Sequence, residues 1–213
     1  MRLIPTTIAL FALCSTLLLA QQRGAPPPAP PANPAAPAPA GQRGGGRGRG
    51  AIQAMTLTST AWPDGSTIPA QYTQAGDDMS PPLAWSGAPD GIVSYVLVMH
   101  DLDAPIGNGA DDLLHWMLWN IPASARGVGE GQPQGNQWPD GTRQISATGP
   151  YFRGPGAAAA GSPHHYVFEL YALDSMVDVP AVGQSPAQTR AAVMTAMAGH
   201  IRGKGAYVGL FKR

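Results

Sequence analysis

Three stretches of this chain place polar, chemistry-capable side chains at the ends of apolar runs. In YVLVMHDLDAP, residues 95–105, the run closes on Asp101-Leu102-Asp103. If that strand persists, its period of two puts both carboxylates on the face of Leu97 and Met99. An Asp-rich turn whose side chains bond their own backbone accounts for the same letters. In LLHWMLWNIP, residues 113–122, His115 falls on the face of Leu113, Met117 and Trp119, either as a ligand contact or as a satisfied core histidine. In SPHHYVFELYAL, residues 162–173, alternation sets His164, Tyr166, Phe168 and Leu170 on one face. His165, Val167 and Glu169 take the other, which sends His165 to the surface. A fourth stretch, Tyr151-Phe152-Arg153-Gly154-Pro155-Gly156, carries glycines that let a backbone approach a ligand and offer N–H groups to an anion.

Side chains of these types admit more than one chemistry. Imidazole N–H, phenol O–H and backbone N–H are donors that suit phosphate oxygens. Asp101 beside an anion is unfavourable unless it orients a histidine or accepts a proton or ammonium from the ligand. Asp101, His115 and His164 also form an admissible metal-ligand set, the basis of an alternative reading as a metal-dependent hydrolase. No HExxH or CxxC spacing supports that alternative, and no dinucleotide or phosphate-loop glycine motif is present. A Ser/His/Asp hydrolase lacks its Gly-x-Ser-x-Gly elbow.

The elements that must position these residues are mostly short strands. Candidates are Met55–Thr58, Tyr95–His100, Leu114–Asn120, His165–Leu173 and Ala206–Phe211. Pro-Asp-Gly recurs at 63–65, 89–91 and 139–141, where proline presets φ and glycine supplies positive φ. Strands punctuated in this way describe an all-β sandwich or barrel. One helix is announced over Gln188–His200: Ser185 caps it, Pro186 opens it, Ala191, Met194 and Ile201 recur along it, and Gly203 stops it. A second short helix is expected around Pro122–Gly127.

The chain has 213 residues, and its 13 basic and 13 acidic side chains sum to zero. That average hides an uneven distribution. Residues 1–50 carry five arginines and no acid, while residues 51–213 carry eight cations against all 13 acids, a balance of −5. An acidic body argues against nucleic acid as the folded domain's partner. Residues 1–20 place one arginine ahead of a short apolar run, the pattern of a secretory signal cleaved after Ala20, and too short for a comfortable membrane span. Removal would take Cys14, the only cysteine, and leave a mature chain without thiol, disulfide or transmembrane segment. Residues 21–50 are Pro/Ala-rich and then Gly/Arg-rich, a linker with nothing apolar to bury and therefore expected to be disordered. Residues 51–213 suffice for one sizeable core. An exported, periplasmic or secreted protein is the expectation.

Taken in order, several segments resemble the phosphatidylethanolamine-binding protein (PEBP) family, in particular its bacterial branch of Raf kinase inhibitor-like proteins. They are Ser80-Pro-Pro-Leu-Ala-Trp-Ser-Gly-Ala-Pro89, Asp101-Leu-Asp-Ala-Pro105, His115-Trp116, Asn120-Ile-Pro122, Gly154-Pro155 and His164-His-Tyr166. Asp-x-Asp-Ala-Pro is the most specific of them. The resemblance implies a mainly β, PEBP-like antiparallel sandwich of Greek-key type, with a few short peripheral helices including one near the C-terminus. It also implies a small anion pocket at one edge. Asp101, His115, His164 and Tyr166 match its polar lining, Gly154 its backbone donor, and Pro105 and Pro155 its walls; Asp103 matches a supporting position that holds the loop presenting Asp101.

Two features depart from the family pattern. Further prolines commonly follow Gly-Pro, where this chain has Gly156 and then Ala157–Ala160, and the frequent His-Arg-Tyr reads His164-His165-Tyr166. The implied function is non-catalytic binding of phosphate, phosphoethanolamine or a phospholipid head group, without cofactor or metal, or modulation of a protein partner. A scaffold or protease-inhibitor module acting through its surface is a third reading. Neither the natural ligand nor the oligomeric state is legible, and kinase inhibition does not carry over to an exported protein.

Overall fold

The computed structural model describes residues 51–213. The expected signal at 1–20 and linker at 21–50 lie outside the described residues. In chain order the elements are β1 (Gln53–Ala54), β2 (Thr56–Thr58), β3 (Ser66–Thr67), a 3-10 turn at Ala70–Tyr72, β4 (Leu83–Ser86) and β5 (Ser94–Ile106). A 3-10 turn at Gly107–Gly109 leads to β6 (Asp111–Pro122), β7 (Gly127–Val128), β8 (Arg143–Ile145), β9 (His164–Leu173), α1 (Pro186–Met197) and β10 (Ile201–Phe211).

The large sheet runs β1-β10-β9-β5-β6-β8, with β3 also pairing β10, and a three-stranded sheet runs β2-β4-β7. β5, β6 and β8 form an antiparallel run, and β9 returns to lie antiparallel beside β5. That order, fourth strand next to the first, is a Greek key. The expected antiparallel pattern holds for the long strands, while the short β1 and β3 join β10 in parallel.

β5 explains the layering. Eight consecutive residues from Ser94 to Asp101 are buried, so this central strand is covered on both faces. Tyr95, Leu97 and Met99 join a core with Leu57, Leu83, Trp85 and Val128 of the small sheet, which makes the sandwich. Val96 and Val98 join a second core with Met117, Trp119, Val193 and Met197, closed by α1. Among the described residues no helix is long and apolar enough to cross a membrane.

Several expectations needed correction. The expected strand Met55–Thr58 is found as β2, Thr56–Thr58, and is preceded by the unforeseen β1, which pairs in the other sheet. β4 was not foreseen, because its four residues LAWS alternate too briefly to register. Ala123 and Ser124 form a turn, with Ala125 N–H donating to Pro122 O, and no helix follows β6. The capping box at Ser185 and Gln188 and the opening Pro186 are present. The helix nevertheless ends at Met197, because Gly199 takes positive φ and Ile201 already belongs to β10. Its buried positions are Thr189, Val193 and Met197, whereas Met194 is exposed; in so alanine-rich a helix the apolar letters do not single out a face.

Close packing against β10 depends on Gly209. A Cβ there would lie 2.4 Å from Ile68 Cγ1 and 2.9 Å from Trp62 Nε1. Gly209→Ala is therefore expected to cost about 1–3 kcal/mol by overpacking. Urea unfolding followed by tryptophan fluorescence measures it; an unchanged midpoint would mean that Ile68 yields freely.

Candidate functional site

Asp101, His115, His164 and Tyr166 come together around a cavity of about 260 Å³ at the end of the large sheet. Strand adjacency brings them there, since β5 lies between β9 and β6 and Asp101 pairs with Tyr166 on one side and Leu113 on the other. His115 reaches the cavity through an irregularity. Met99 is opposite Trp116 while His100 is opposite Leu114, so β6 bulges at His115. The bulge inverts the alternation. His115 meets Tyr166 edge-on at 5.0 Å, on the sandwich side with Trp116 and Leu118, and not with Met117 and Trp119 as strict alternation requires.

Asp101 is 3% exposed and heavily coordinated. His164 Nδ1 donates to its two oxygens at 3.1 and 2.9 Å, and the Asp103 N–H donates to Oδ1 at 3.0 Å. The Tyr166 hydroxyl lies close enough to feel its charge. Tyr166 Oη accepts in turn from the N–H groups of Gly156 and Ala157, at 3.3 and 3.2 Å. Burial and then the Asp101 charge push the Tyr166 phenol well above its ordinary range, so it stays protonated.

His115 is held from its other side. Its Nδ1–H donates to Arg153 O at 2.7 Å, and the Arg153 N–H donates to His115 O. Burial pushes the imidazole below the ordinary histidine range, and the Arg153 charge acts in the same sense, outweighing the pull of Asp101 and the backbone carbonyls. The neutral ring therefore carries its proton on Nδ1. Nε2 is left as a buried acceptor without a partner, 4.0 Å from Asp101 Oδ2. Two acceptors face one another with no proton between them.

That geometry revises the donor-rich picture drawn from residue types. The His164 Nδ1 donor is turned inward onto Asp101, and the Tyr166 hydroxyl is engaged by the Gly156 and Ala157 N–H groups. Gly154 is not the free backbone donor that the resemblance implied, because its N–H donates to Asp78 Oδ1 at 2.6 Å. A Cβ at Gly154 would strike Tyr72 O at 2.5 Å, so the glycine is required by a close backbone crossing. Pro155 is buried behind the wall, with its carbonyl accepting from Gln74 N, and Pro105 pairs with Asp112; Ala104, not Pro105, borders the cavity.

Asp103 does not share the pocket with Asp101. Its carboxylate accepts from His165 N–H at 2.7 Å and from His165 Nδ1 at 2.8 Å, bonds that hold it below the usual carboxylate range. Its backbone supports Asp101 while its side chain fastens β5 to β9, and His165 is half exposed on the outer face.

Residue types alone missed Gln74 and Arg153 as lining residues. Gln74 Nε2 donates to Gly154 O at 2.6 Å and secures the wall, but it stands in a polar loop with no periodicity to mark it. Arg153 was readable only as the neighbour of Gly154. A larger cavity, about 480 Å³, lies between α1 and the β5–β6 hairpin and is mainly apolar. Its one arginine, Arg190, is bound to Asp112. Among the described residues no group of three or more His, Cys, Asp or Glu side chains is arranged to hold a metal ion.

Known proteins place the chain. Residues 58–212 match the family model described as phosphatidylethanolamine-binding protein. A UPF0098 protein of Methanothermobacter thermautotrophicus is 35% identical over 161 residues, spanning 75% of this chain and 99% of its own length. Another UPF0098 protein, from Pyrococcus horikoshii, is 32% identical and spans 77% of this chain and 80% of its own. The crystal structure of a PEBP homolog from Chlamydia trachomatis superimposes with a TM-score of 0.62 at 28% identity, over 76% of this chain and 99% of that one. E. coli YbcL, described as a member of the mammalian PEBP family, shares the fold with a TM-score of 0.62 at 22% identity, over 75% of this chain and 98% of its own. The chain belongs to the phosphatidylethanolamine-binding protein family.

Proposed function

We propose that this protein binds, without chemical turnover, a small oxyanion that still carries an acidic proton: phosphate, or a phosphate head group such as phosphoethanolamine. The observation that carries this reading is the buried, unpartnered His115 Nε2 facing Asp101 Oδ2 at 4.0 Å. An unsatisfied buried acceptor costs about 1–3 kcal/mol. A P–OH group donating to this pair removes the cost, whereas a fully ionised phosphate would meet two acceptors and be repelled. The family name supports a phospholipid head group as one source of such a ligand.

Binding without turnover fits the lining. Among the described residues no serine, threonine or cysteine borders the cavity. Tyr166 is kept protonated, and His164 has its Nδ1 on Asp101. Calorimetry with inorganic phosphate, phosphoethanolamine and acetate tests the reading. We expect saturable binding of both phosphates, weakened at least about tenfold in Asp101→Asn, which keeps the side-chain shape and loses a charged acceptor. Saturation by neither phosphate would sink the proposal.

The pH dependence has a defined sign. A phosphomonoester loses its second proton near pH 6. Burial lowers the His115 value, and loss of any proton from His115 as pH rises weakens anion binding in the same sense. Affinity for phosphoethanolamine should therefore fall by about tenfold or more between pH 5.5 and 8 as the P–OH disappears. Affinity that rose across this range would show that the dianion is the ligand.

Export belongs to the same proposal, on the basic and then apolar pattern of residues 1–20. N-terminal sequencing of protein recovered outside the cytoplasm is expected to begin at Gln21. Recovery only from the cytoplasm with Met1 intact would overturn it.

A further inference from the structure

The cavity has acceptors at its floor and one cation in its lining. Arg153 is the only arginine or lysine among the described residues that border it. Its main chain is fully engaged, with N–H donating to His115 O and the carbonyl accepting from His115 Nδ1. Its side chain is not. Arg126 and Arg143 donate to backbone carbonyls, and Arg190 and Arg202 are paired with Asp112 and Asp174. The Arg153 guanidinium has no such partner among the described residues, although the domain carries more acids than bases. It is also near enough for its charge to act on His115. A half-buried arginine without a partner, beside a carboxylate that other donors already satisfy, is placed to meet a charge arriving from outside.

We propose that the Arg153 side chain selects the charge of the ligand, pairing with the unprotonated oxygens of a phosphate whose remaining P–OH addresses Asp101 and His115. This rests on the phosphate reading above and divides the ligand between two recognition elements. The floor requires a proton and Arg153 requires a negative charge. A monoanionic phosphate monoester satisfies both. A neutral hydroxyl compound satisfies only the floor, and a carboxylate offers Arg153 its fork but brings no proton at neutral pH. The planar guanidinium holds two oxygens at once, which a point charge does not.

The main-chain clamp on His115 does not depend on the side chain, so the position can be changed without dismantling the site. Calorimetric titration of wild type, Arg153→Gln and Arg153→Lys with inorganic phosphate and with phosphoethanolamine, each at low and high sodium chloride, tests the role. Arg153→Gln is expected to weaken both phosphates about tenfold and flatten the salt dependence, while Arg153→Lys recovers part of the loss. Thermal unfolding midpoints should stay unchanged. Absence of phosphate binding in wild type would remove the pocket reading itself. Binding in wild type that Arg153→Gln leaves intact, with the same salt dependence, would remove only the role of Arg153. Weakening accompanied by a lowered unfolding midpoint, and not restored in Arg153→Lys, would make the side chain structural and overturn the proposal.

Discussion

A carboxylate withdrawn from water must be compensated, and around Asp101 this domain arranges that compensation from its own strand and the neighbouring one. An isolated buried charge costs several kcal/mol, so it persists only when its lone pairs are occupied. Asp101 takes donors from His164 on β9 and from the Asp103 N–H on its own strand, with the Tyr166 phenol nearby. Tyr166 is aimed by the N–H groups of Gly156 and Ala157. That wall is fixed in turn by Gln74 and Asp78 through Gly154. Remote parts of the chain thus converge on one side chain, and the requirement to satisfy it defines the cavity.

The opposite face of the same strands shows the other way of burying charge. His100, adjacent to Asp101, turns away from the pocket and meets Asp112 at 2.5 Å. Asp112 also receives Arg190 from α1, and burial that would raise its carboxyl is outweighed by the bonds from His100 and Arg190. Glu169 is answered by Lys204 and Tyr171. On that side nearly every charge has a counter-charge in the fold. On the pocket side Asp101 is met by His164 and by a backbone N–H, and Arg153 has no acid. His100 Nε2 and His115 Nε2 are both buried without a hydrogen bond, but only His115 borders a cavity.

Much of this was legible because long strands write their periodicity plainly. His164, Tyr166 and Phe168 alternate without interruption over β9, and their shared face was correctly read. The apolar run before Asp101 located β5, although its extent was underestimated, since polar letters after His100 look like a turn. His115 was found as a residue and misplaced as a direction. A bulge adds one residue to the count along the strand, and nothing in LLHWMLWNIP marks where it falls. The contribution of Gln74 and Asp78 was illegible for a different reason, since their contacts join residues about 80 positions apart through irregular backbone. Residue types also identify donors without saying where their hydrogens go, and for that reason a pocket rich in acceptors read as one rich in donors.

The departure after Gly154-Pro155 acquires a physical meaning in this frame. Where the family commonly continues with proline, this chain has Gly156 and Ala157, and both of their N–H groups point at Tyr166 Oη. Proline has no N–H to give. A proline at either position would remove one of the two donors that orient the phenol. Tyr166 would then rely more on Asp101, or turn toward the cavity and present its hydroxyl to a ligand. In this chain the phenol oxygen is held by both N–H groups, with Asp101 nearby. The groups left uncommitted around the cavity are the His115 Nε2 and the Arg153 guanidinium. The residues that replace proline thus supply the two N–H groups that hold the Tyr166 oxygen.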